Sequence, residues 1–265
     1  MLTYYKVMTR MAASAVLVAI TVLVGPAALA GDYGNEVFEI SGLDSAFAGA
    51  PEAALEVARQ LGADENVLKI WKAAAHEELS PARLTQALRL EFSKEIKSSA
   101  VPSIVSFRTS ELGLKVTAAE VVEARGEERE KRYIAAASEI ENLSENRRKL
   151  YRDLATLTAP RDVDGNLLLL VEALLRPVLP KTSVQAALSQ LENDLRERRR
   201  SGRALETTAA TYRTLNDNEL ALLIEHFRTE EGTAFLMAKS TSEDKVFRRA
   251  VSNLAKRFAK LVGDR

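Results

Sequence analysis

Residues 215–232 read LNDNELALLIEHFRTEEG, which is the pattern of two helices joined by a tight corner. Thr229 is placed to cap the second helix, because its hydroxyl can accept a hydrogen bond from a free backbone N–H. Glu230 then lies in the positively polarised first turn. Gly232 lets that turn approach its neighbour closely, at a propensity cost of about 1 kcal/mol. The first helix carries apolar residues at helical spacing, namely Leu220, Leu223 and Ile224.

A second copy of this corner stands earlier in the chain. The order hydroxyl, Glu, any residue, Gly aligns residues 107–113 with residues 226–232. The members of the first corner are Ser110, Glu111 and Gly113. Apolar residues precede this copy too, at Val101, Ile104 and Val105. Two copies in similar surroundings, roughly half the chain apart, predict an internal duplication.

The rest of the chain also has helical spacing. Its 12 glycines and 7 prolines argue against a turn-rich all-β fold. A strand is conceivable at residues 166–175, but leucine and alanine favour a buried helix there. We therefore predict an all-α multi-helix bundle made of two related halves, residues 31–158 and 159–265. The predicted helical segments are 37–47, 53–61, 66–79, 81–96, 101–107, the charged stretch 120–157, 166–175, 184–195, 218–227, 232–238 and 242–262.

The N-terminus has the layout of a cleaved secretory signal. Lys6 and Arg10 precede an apolar run at residues 11–24, which is shorter than the roughly 20 residues of a membrane span. Ala28 and Ala30 stand at positions −3 and −1 of a predicted cut after Ala30. We expect a periplasmic or secreted bacterial protein, and an uncleaved N-terminal anchor is the alternative.

The predicted mature chain is nearly neutral. Removing residues 1–30 takes away two of the 37 basic side chains and none of the 37 acidic ones, which leaves 35 against 37. This balance argues against a nucleic-acid partner. No second long apolar run follows, so we expect no membrane span in the mature chain. The absence of cysteine excludes disulfides and cysteine-ligated metals, and we expect no cofactor.

The stretch at residues 215–232 resembles bacterial periplasmic proteins of the family called domain of unknown function 2059. In that family a leucine-rich helix, an aromatic pair and Ser-Pro-x-Gly precede another helix, and residues 80–120 resemble the pattern more loosely. This chain has Glu111 and Glu230 where proline is usual, and His226 in an aromatic position. The resemblance implies a helical periplasmic protein. It supplies no catalytic residues, because the family has no assigned activity.

No pattern in the chain predicts a particular reaction. The chain has no cysteine, no Gly-rich phosphate loop and no G-x-S-x-G sequence. Ser80 stands where His76 would need a second histidine for zinc. His226 has only Glu230 one turn further on, and zinc needs three or four ligands. A Ser-His-Asp triad or two facing carboxylates stay as alternatives, but acidic residues at this density usually pair with Lys and Arg on solvated faces.

The densest basic patch lies on a predicted helix. It could contact anionic lipid headgroups, lipopolysaccharide or an acidic partner. The simpler interpretation is a charged helix face balanced by nearby acidic residues. The members of the patch are Arg196, Arg198, Arg199, Arg200 and Arg203.

The sequence as a whole predicts a non-enzymatic protein of the cell envelope that acts by binding. A groove between the two halves is the natural site for a peptide, a lipid or a partner protein. A cleft with two facing carboxylates and no basic partner would instead favour an envelope hydrolase. Oligomerisation along the charged stretch 120–157 would favour a structural or assembly role. The ligand and the oligomeric state stay open.

Overall fold

The computed structural model describes residues 26–125, 129–158, 163–200 and 203–263. Residues 1–25 of the predicted signal peptide lie outside this part of the chain, so its cleavage stays a prediction. The described residues form 13 α-helices and no strand, which confirms the all-α multi-helix bundle. The helices are α1 (Pro26–Ile40), α2 (Ala50–Gln60), α3 (Glu65–Glu78), α4 (Pro81–Glu95), α5 (Val101–Arg108), α6 (Glu111–Arg125), α7 (Arg129–Ile140), α8 (Glu145–Thr158), α9 (Val163–Leu175), α10 (Lys181–Arg200), α11 (Arg203–Tyr212), α12 (Asp217–Arg228) and α13 (Glu230–Gly263).

The helix boundaries follow local chemistry. Asp64 begins α3, because its side chain accepts hydrogen bonds from two backbone N–H groups, each at 2.9 Å. Gly62 ends the preceding turn at a φ of +71°, a conformation that favours glycine. Asn216 and Glu219 form a reciprocal capping box at the start of α12, with hydrogen bonds of 3.0 and 2.8 Å. Ser80 stands at the start of α4, but its side chain makes no capping hydrogen bond.

The charged stretch 120–157 is divided among three helices. A turn at residues 141–144 separates α7 from α8. Ser144 begins α8, because its hydroxyl accepts a hydrogen bond from the backbone N–H of Arg147 at 3.2 Å. A continuous helix over this stretch, as an assembly role would use, is therefore wrong.

The predicted helices 232–238 and 242–262 form a single helix in the structure. The chain runs as α13 through 34 residues without a break. Ser240, Thr241 and Ser242 have low helix propensity, but they tolerate a helix when the face beside them is buried. Ala238, Ser242 and Val246 are all buried, so packing against the core holds the helix together where propensity alone predicts an end.

One hydrophobic core crosses from the first half of the chain into the second. Phe92 of α4 contacts Phe38 of α1 and Phe235 of α13 in edge-to-face geometry, with ring centroids 6.1 and 6.0 Å apart. Trp71 of α3 meets Phe258 near the end of α13 at 5.1 Å. The long helix α13 thus belongs to the second half by sequence and to both halves by packing.

The helix contacts within α1–α6 are repeated in the same order within α8–α13, and this second series begins with α8, which lies inside the predicted first half at residues 31–158. Helix α1 packs against α4 and α5, and α8 packs against α11 and α12. The pairs α2–α3 and α5–α6 are matched by α9–α10 and α12–α13. Helix α13 also packs against α3, α4 and α9. Among the helices that the structure describes, none combines the length and the apolar character needed to cross a bilayer.

Candidate functional site: an interhelical groove beside two matched corners

The two corners identified in the sequence have the same hydrogen bonds. At the first corner the backbone N–H of Gly113 donates to Ser110 Oγ at 3.1 Å, and that hydroxyl donates to the carbonyl oxygen of Phe107 at 2.6 Å. At the second corner the N–H of Gly232 donates to Thr229 Oγ1 at 3.0 Å, and Thr229 donates to the carbonyl of His226 at 2.8 Å. Each hydroxyl therefore links the end of one helix to the start of the next.

The glycine of each corner stands where a side chain does not fit. A Cβ on Gly113 would overlap the carbonyl oxygen of Phe107 and lie 2.7 Å from the Cα of Arg108. A Cβ on Gly232 would overlap the carbonyl oxygen of His226 and lie 2.9 Å from the Cα of Phe227. Backbone atoms cannot move aside as a flexible side chain can, so both corners require glycine. Glu111 and Glu230 occupy the first turns of α6 and α13.

The two corners touch each other through the first residue of each motif. The ring of Phe107 stacks on the ring of His226, with centroids 3.7 Å apart and planes 9° apart. Burial lowers the pKa of His226 to about 4, and the positive charge of Arg108 adds to this whereas Glu231 opposes it. The imidazole is therefore neutral at neutral pH, which suits a stack on an apolar ring.

An open groove of about 480 Å³ begins at the second corner. One wall is a stripe along α13, and the other wall is the end of α4 with the segment that follows it. The first half of the chain supplies Glu95 and Lys97, so the groove lies between the two halves. The second half supplies Arg228, Thr229, Glu230, Thr233, Ala234, Met237, Ala238 and Thr241.

The charges of the groove are paired across helices. Lys97 contacts Glu230 at 3.6 Å across the groove mouth, and both side chains are largely exposed. Arg228 contacts Asp153 of α8 at 3.1 Å. Surface pairs of this kind contribute little stability and exchange readily for other partners. The exposed Met237 and the small side chains of Ala234 and Ala238 provide apolar surface between these charges.

A buried polar cluster lies behind the corners, around Arg108. Its guanidinium is 1% exposed, donates to Glu120 at 2.9 Å and to Thr117 at 3.2 Å, and lies over the Phe235 ring at 4.7 Å. Tyr212 donates its hydroxyl to the other oxygen of Glu120 at 2.9 Å. Burial raises the pKa of Tyr212 well above its ordinary value, and the negative charge of Glu120 raises it further, so Tyr212 stays a donor.

The cluster holds Glu120 as a carboxylate. Burial raises the pKa of Glu120, but Arg108, Lys239 and the Tyr212 hydroxyl lower it by more, so the net shift is downward. The pKa of Glu243 also depends on this cluster. Burial raises that pKa, the positive charge of Lys239 opposes the rise, and the negative charge of Glu120 adds to it. Glu120 therefore has a basic partner in Arg108, whereas facing carboxylates without one would favour a hydrolase.

The predicted basic patch is only partly described. Arg196 pairs loosely with Glu192 one turn away, at 3.8 Å, and both side chains are more than half exposed. This is a solvated ion pair on a helix face. The side chains of the remaining patch members lie outside the described residues: Arg198, Arg199, Arg200 and Arg203.

Neither His76 nor His226 belongs to a group of side chains that could hold a metal ion in the described part of the chain. His76 is exposed on α3, and His226 stacks in the corner. Within the described part of the chain, no group of three or more His, Cys, Asp or Glu side chains could hold a metal ion.

Sequence reasoning missed three residues that shape this region. The sequence analysis does not single out Arg108, although the alignment of the two corners sets it against Phe227, and a charge opposite an aromatic residue was a usable signal. Lys97 and Met237 line the groove only because distant helices bring them together. No local pattern marks either residue.

The chain has no match among known proteins in three comparisons. We compared it with protein-family models, with curated proteins and with solved structures, and each comparison found no match. The resemblance to domain of unknown function 2059 therefore stays a prediction.

Proposed function

We propose that this protein is a non-catalytic component of the bacterial cell envelope that binds a peptide segment of a partner protein in the groove between its halves. The observation that carries this proposal is the groove itself, about 480 Å³ in volume and lined by both halves. A concave site with apolar surface at Ala234, Met237 and Ala238 and charged groups beside it suits a helical or extended peptide.

The lining favours a peptide over a lipid. Seven of the ten lining residues are charged or threonine: Glu95, Lys97, Arg228, Thr229, Glu230, Thr233 and Thr241. An acyl chain would cover the exposed pairs Lys97–Glu230 and Arg228–Asp153 without offering them any polar contact, and such desolvation is costly. A peptide backbone and polar side chains can instead bond to them while one apolar side chain contacts Met237.

We also propose that the chain arose by an internal duplication whose two copies are α1–α6 and α8–α13, so that the second copy begins at Glu145 rather than at residue 159. The helix starts of α8 to α13 follow those of α1 to α6 by between 113 and 122 positions. Ser110 and Thr229, whose numbers differ by 119, make matching hydrogen bonds. The matched helix contacts of the two halves support the same origin. In this view the groove is a site that only the joined halves create.

The test is site-specific photo-crosslinking in the host envelope. A benzoyl-phenylalanine replaces Met237 in the groove, and the control replaces Ile134 on α7, a still more exposed apolar residue away from the groove. We expect a protein adduct at position 237 that is absent at position 134 and is lost when Ala234→Trp fills the groove. Equal adducts at both positions would contradict the groove as the site.

A second measurement separates peptide from lipid binding. Native mass spectrometry of residues 31–265 purified from the envelope, with and without mild organic extraction, should show no extractable small mass. An extractable lipid-sized mass would replace the peptide proposal with lipid carriage.

A further inference from the structure

The contact between the two corners contains one titratable ring. Phe107 and His226 hold matching positions in the two motifs and stack on each other at 3.7 Å. The chain therefore already shows that phenylalanine fits this position of the corner. Histidine in the second copy places a group that can gain a positive charge in an otherwise apolar contact.

The charges around His226 oppose a positive imidazole. From α5, the buried Arg108 acts on the ring, and from α13 only Glu231 offsets it. Other charges on the helices that meet at the two corners are held in ion pairs, and Glu120 of α6 binds Arg108 itself at 2.9 Å. From α6, Lys115 bridges Glu111 and Glu219 at 3.0 and 2.8 Å. From α8, Asp153 is held by Arg228 of α12 and by Lys149.

The backbone of His226 is hydrogen-bonded to Thr229, which lines the end of the groove. Its carbonyl oxygen accepts hydrogen bonds from the backbone N–H of Thr229 at 3.1 Å and from the Thr229 hydroxyl at 2.8 Å. Arg228, Thr229 and Glu230 follow directly and line the groove. A displacement of the His226 backbone therefore moves these three residues with it.

We propose that protonation of His226 separates the two corners and loosens the Thr229 end of the groove, so that acid weakens the hold on a bound peptide. This regulation rests on the proposed function of the groove. In the step, an imidazole nitrogen binds a proton from water, and the charged ring leaves the stack because Arg108 is buried and cannot withdraw. Depression of the His226 pKa to about 4 agrees with this account.

The first test is a titration of the two histidines by proton NMR, with His76→Gln to assign the signals. We expect the His226 ring to titrate near pH 4, together with a shift in the signals of the Phe107 ring. A pKa of His226 at or above the ordinary 6.5 would overturn the proposal. This measurement uses the protein with only its surface histidine changed and does not depend on a variant of the corner.

The second test is amide hydrogen exchange at the corners, with each rate divided by the intrinsic rate at the same pH. Between pH 7 and pH 4, protection of the Thr229 and Gly232 amides should fall at least tenfold in the unaltered protein. His226→Phe, which copies Phe107, should keep that protection. Unchanged protection in the unaltered protein, or an equal loss in His226→Phe, would overturn the switch.

Neither test needs a ligand, so failure of the peptide proposal can be told apart from failure of the switch. Loss of crosslinking at position 237 with an intact pH response would reject only the binding function. Crosslinking that persists alongside an unresponsive corner would reject only the regulation.

Discussion

Gly232 and Gly113 are single positions where one added methyl group should disturb a helix junction. Gly232→Ala places a Cβ against the backbone of His226 and Phe227, and we expect a loss of about 3 kcal/mol in the free energy of unfolding. Gly113→Ala should cost a similar amount. Urea denaturation followed by circular dichroism checks both variants. Gly263→Ala is the control, since its Cβ meets open space, and a comparable loss there would contradict the steric argument.

Arg108 should contribute far more to the free energy of unfolding than a surface arginine with similar contacts. Arg108→Met leaves Glu120 buried without its cation, and we expect a cost of about 3–5 kcal/mol at pH 7. The control is Arg89→Met. Arg89 also pairs with a carboxylate, that of Glu39 at 2.8 Å, and lies over the ring of Phe38. Because this pair is exposed, the control should lower the free energy of unfolding by less than about 1 kcal/mol.

The cost of Arg108→Met should also depend on pH. Because Arg108 and its neighbours lower the pKa of Glu120 in the folded protein, the pair stabilises the fold above the unfolded-state pKa of a glutamate. That stability is lost as the pH falls through the folded pKa. The difference between the two proteins should therefore shrink at acid pH. A difference that is constant from pH 7 to pH 3 would show that Arg108 acts through packing alone.

Single residues could be placed from the sequence where their role is local. The hydroxyls of Ser110 and Thr229 and the glycines after them follow from the rules of helix ends, and the structure gives them the expected hydrogen bonds. Arg108 and Lys97 could not be assigned, because their partners are brought to them by other helices. The energetic difference between Arg108 and an ordinary arginine comes from burial, which no local pattern encodes.

At the scale of elements, Trp71 of α3 makes buried contacts with two other helices. Its indole Nε1 donates to the carbonyl oxygen of Ala54 in α2 at 2.8 Å, and its ring meets Phe258 of α13 edge-on. Trp71→Ala should lower the free energy of unfolding by about 4 kcal/mol. Trp71→Phe should lower it by about 2 kcal/mol, because that change removes the hydrogen bond and only part of the ring. Thermal unfolding of both variants tests this order.

Tyr33 supplies the comparison for Trp71. It is an aromatic residue with 46% of its surface exposed, so Tyr33→Ala should change stability by less than about 0.5 kcal/mol. A cost as large as that of Trp71→Ala would mean that the ends of α1 are more tightly packed than their exposure indicates.

The elements themselves were predictable where a proline, glycine or cap marks an end. Pro81 at the start of α4 and the turn at Gly62 are of this kind. The single span of α13 was not predictable, because the hydroxyl-rich residues 240–242 lower helix propensity without ending a helix. Only the buried faces of Ala238 and Ser242 explain why the helix continues.

At the scale of the whole molecule, the two halves should depend on each other for folding. Fragments 31–158 and 159–265, prepared separately, should lack a cooperative thermal transition, because α13 covers apolar residues of α4: Leu88 and Phe92. Mixing the fragments should restore helicity and the transition. Circular dichroism and size-exclusion chromatography give the readout, and a cooperative transition in either isolated fragment would contradict the shared core.

Helix α13 has a consequence for the order in which the protein can fold. It is made after the other described helices, and its residues Phe235 and Phe258 complete the packing around Phe92 and Trp71, which are made much earlier. Contacts between such distant parts of a chain slow folding, because the long intervening loop must close first. The earlier helices therefore stay incompletely packed until α13 has been made.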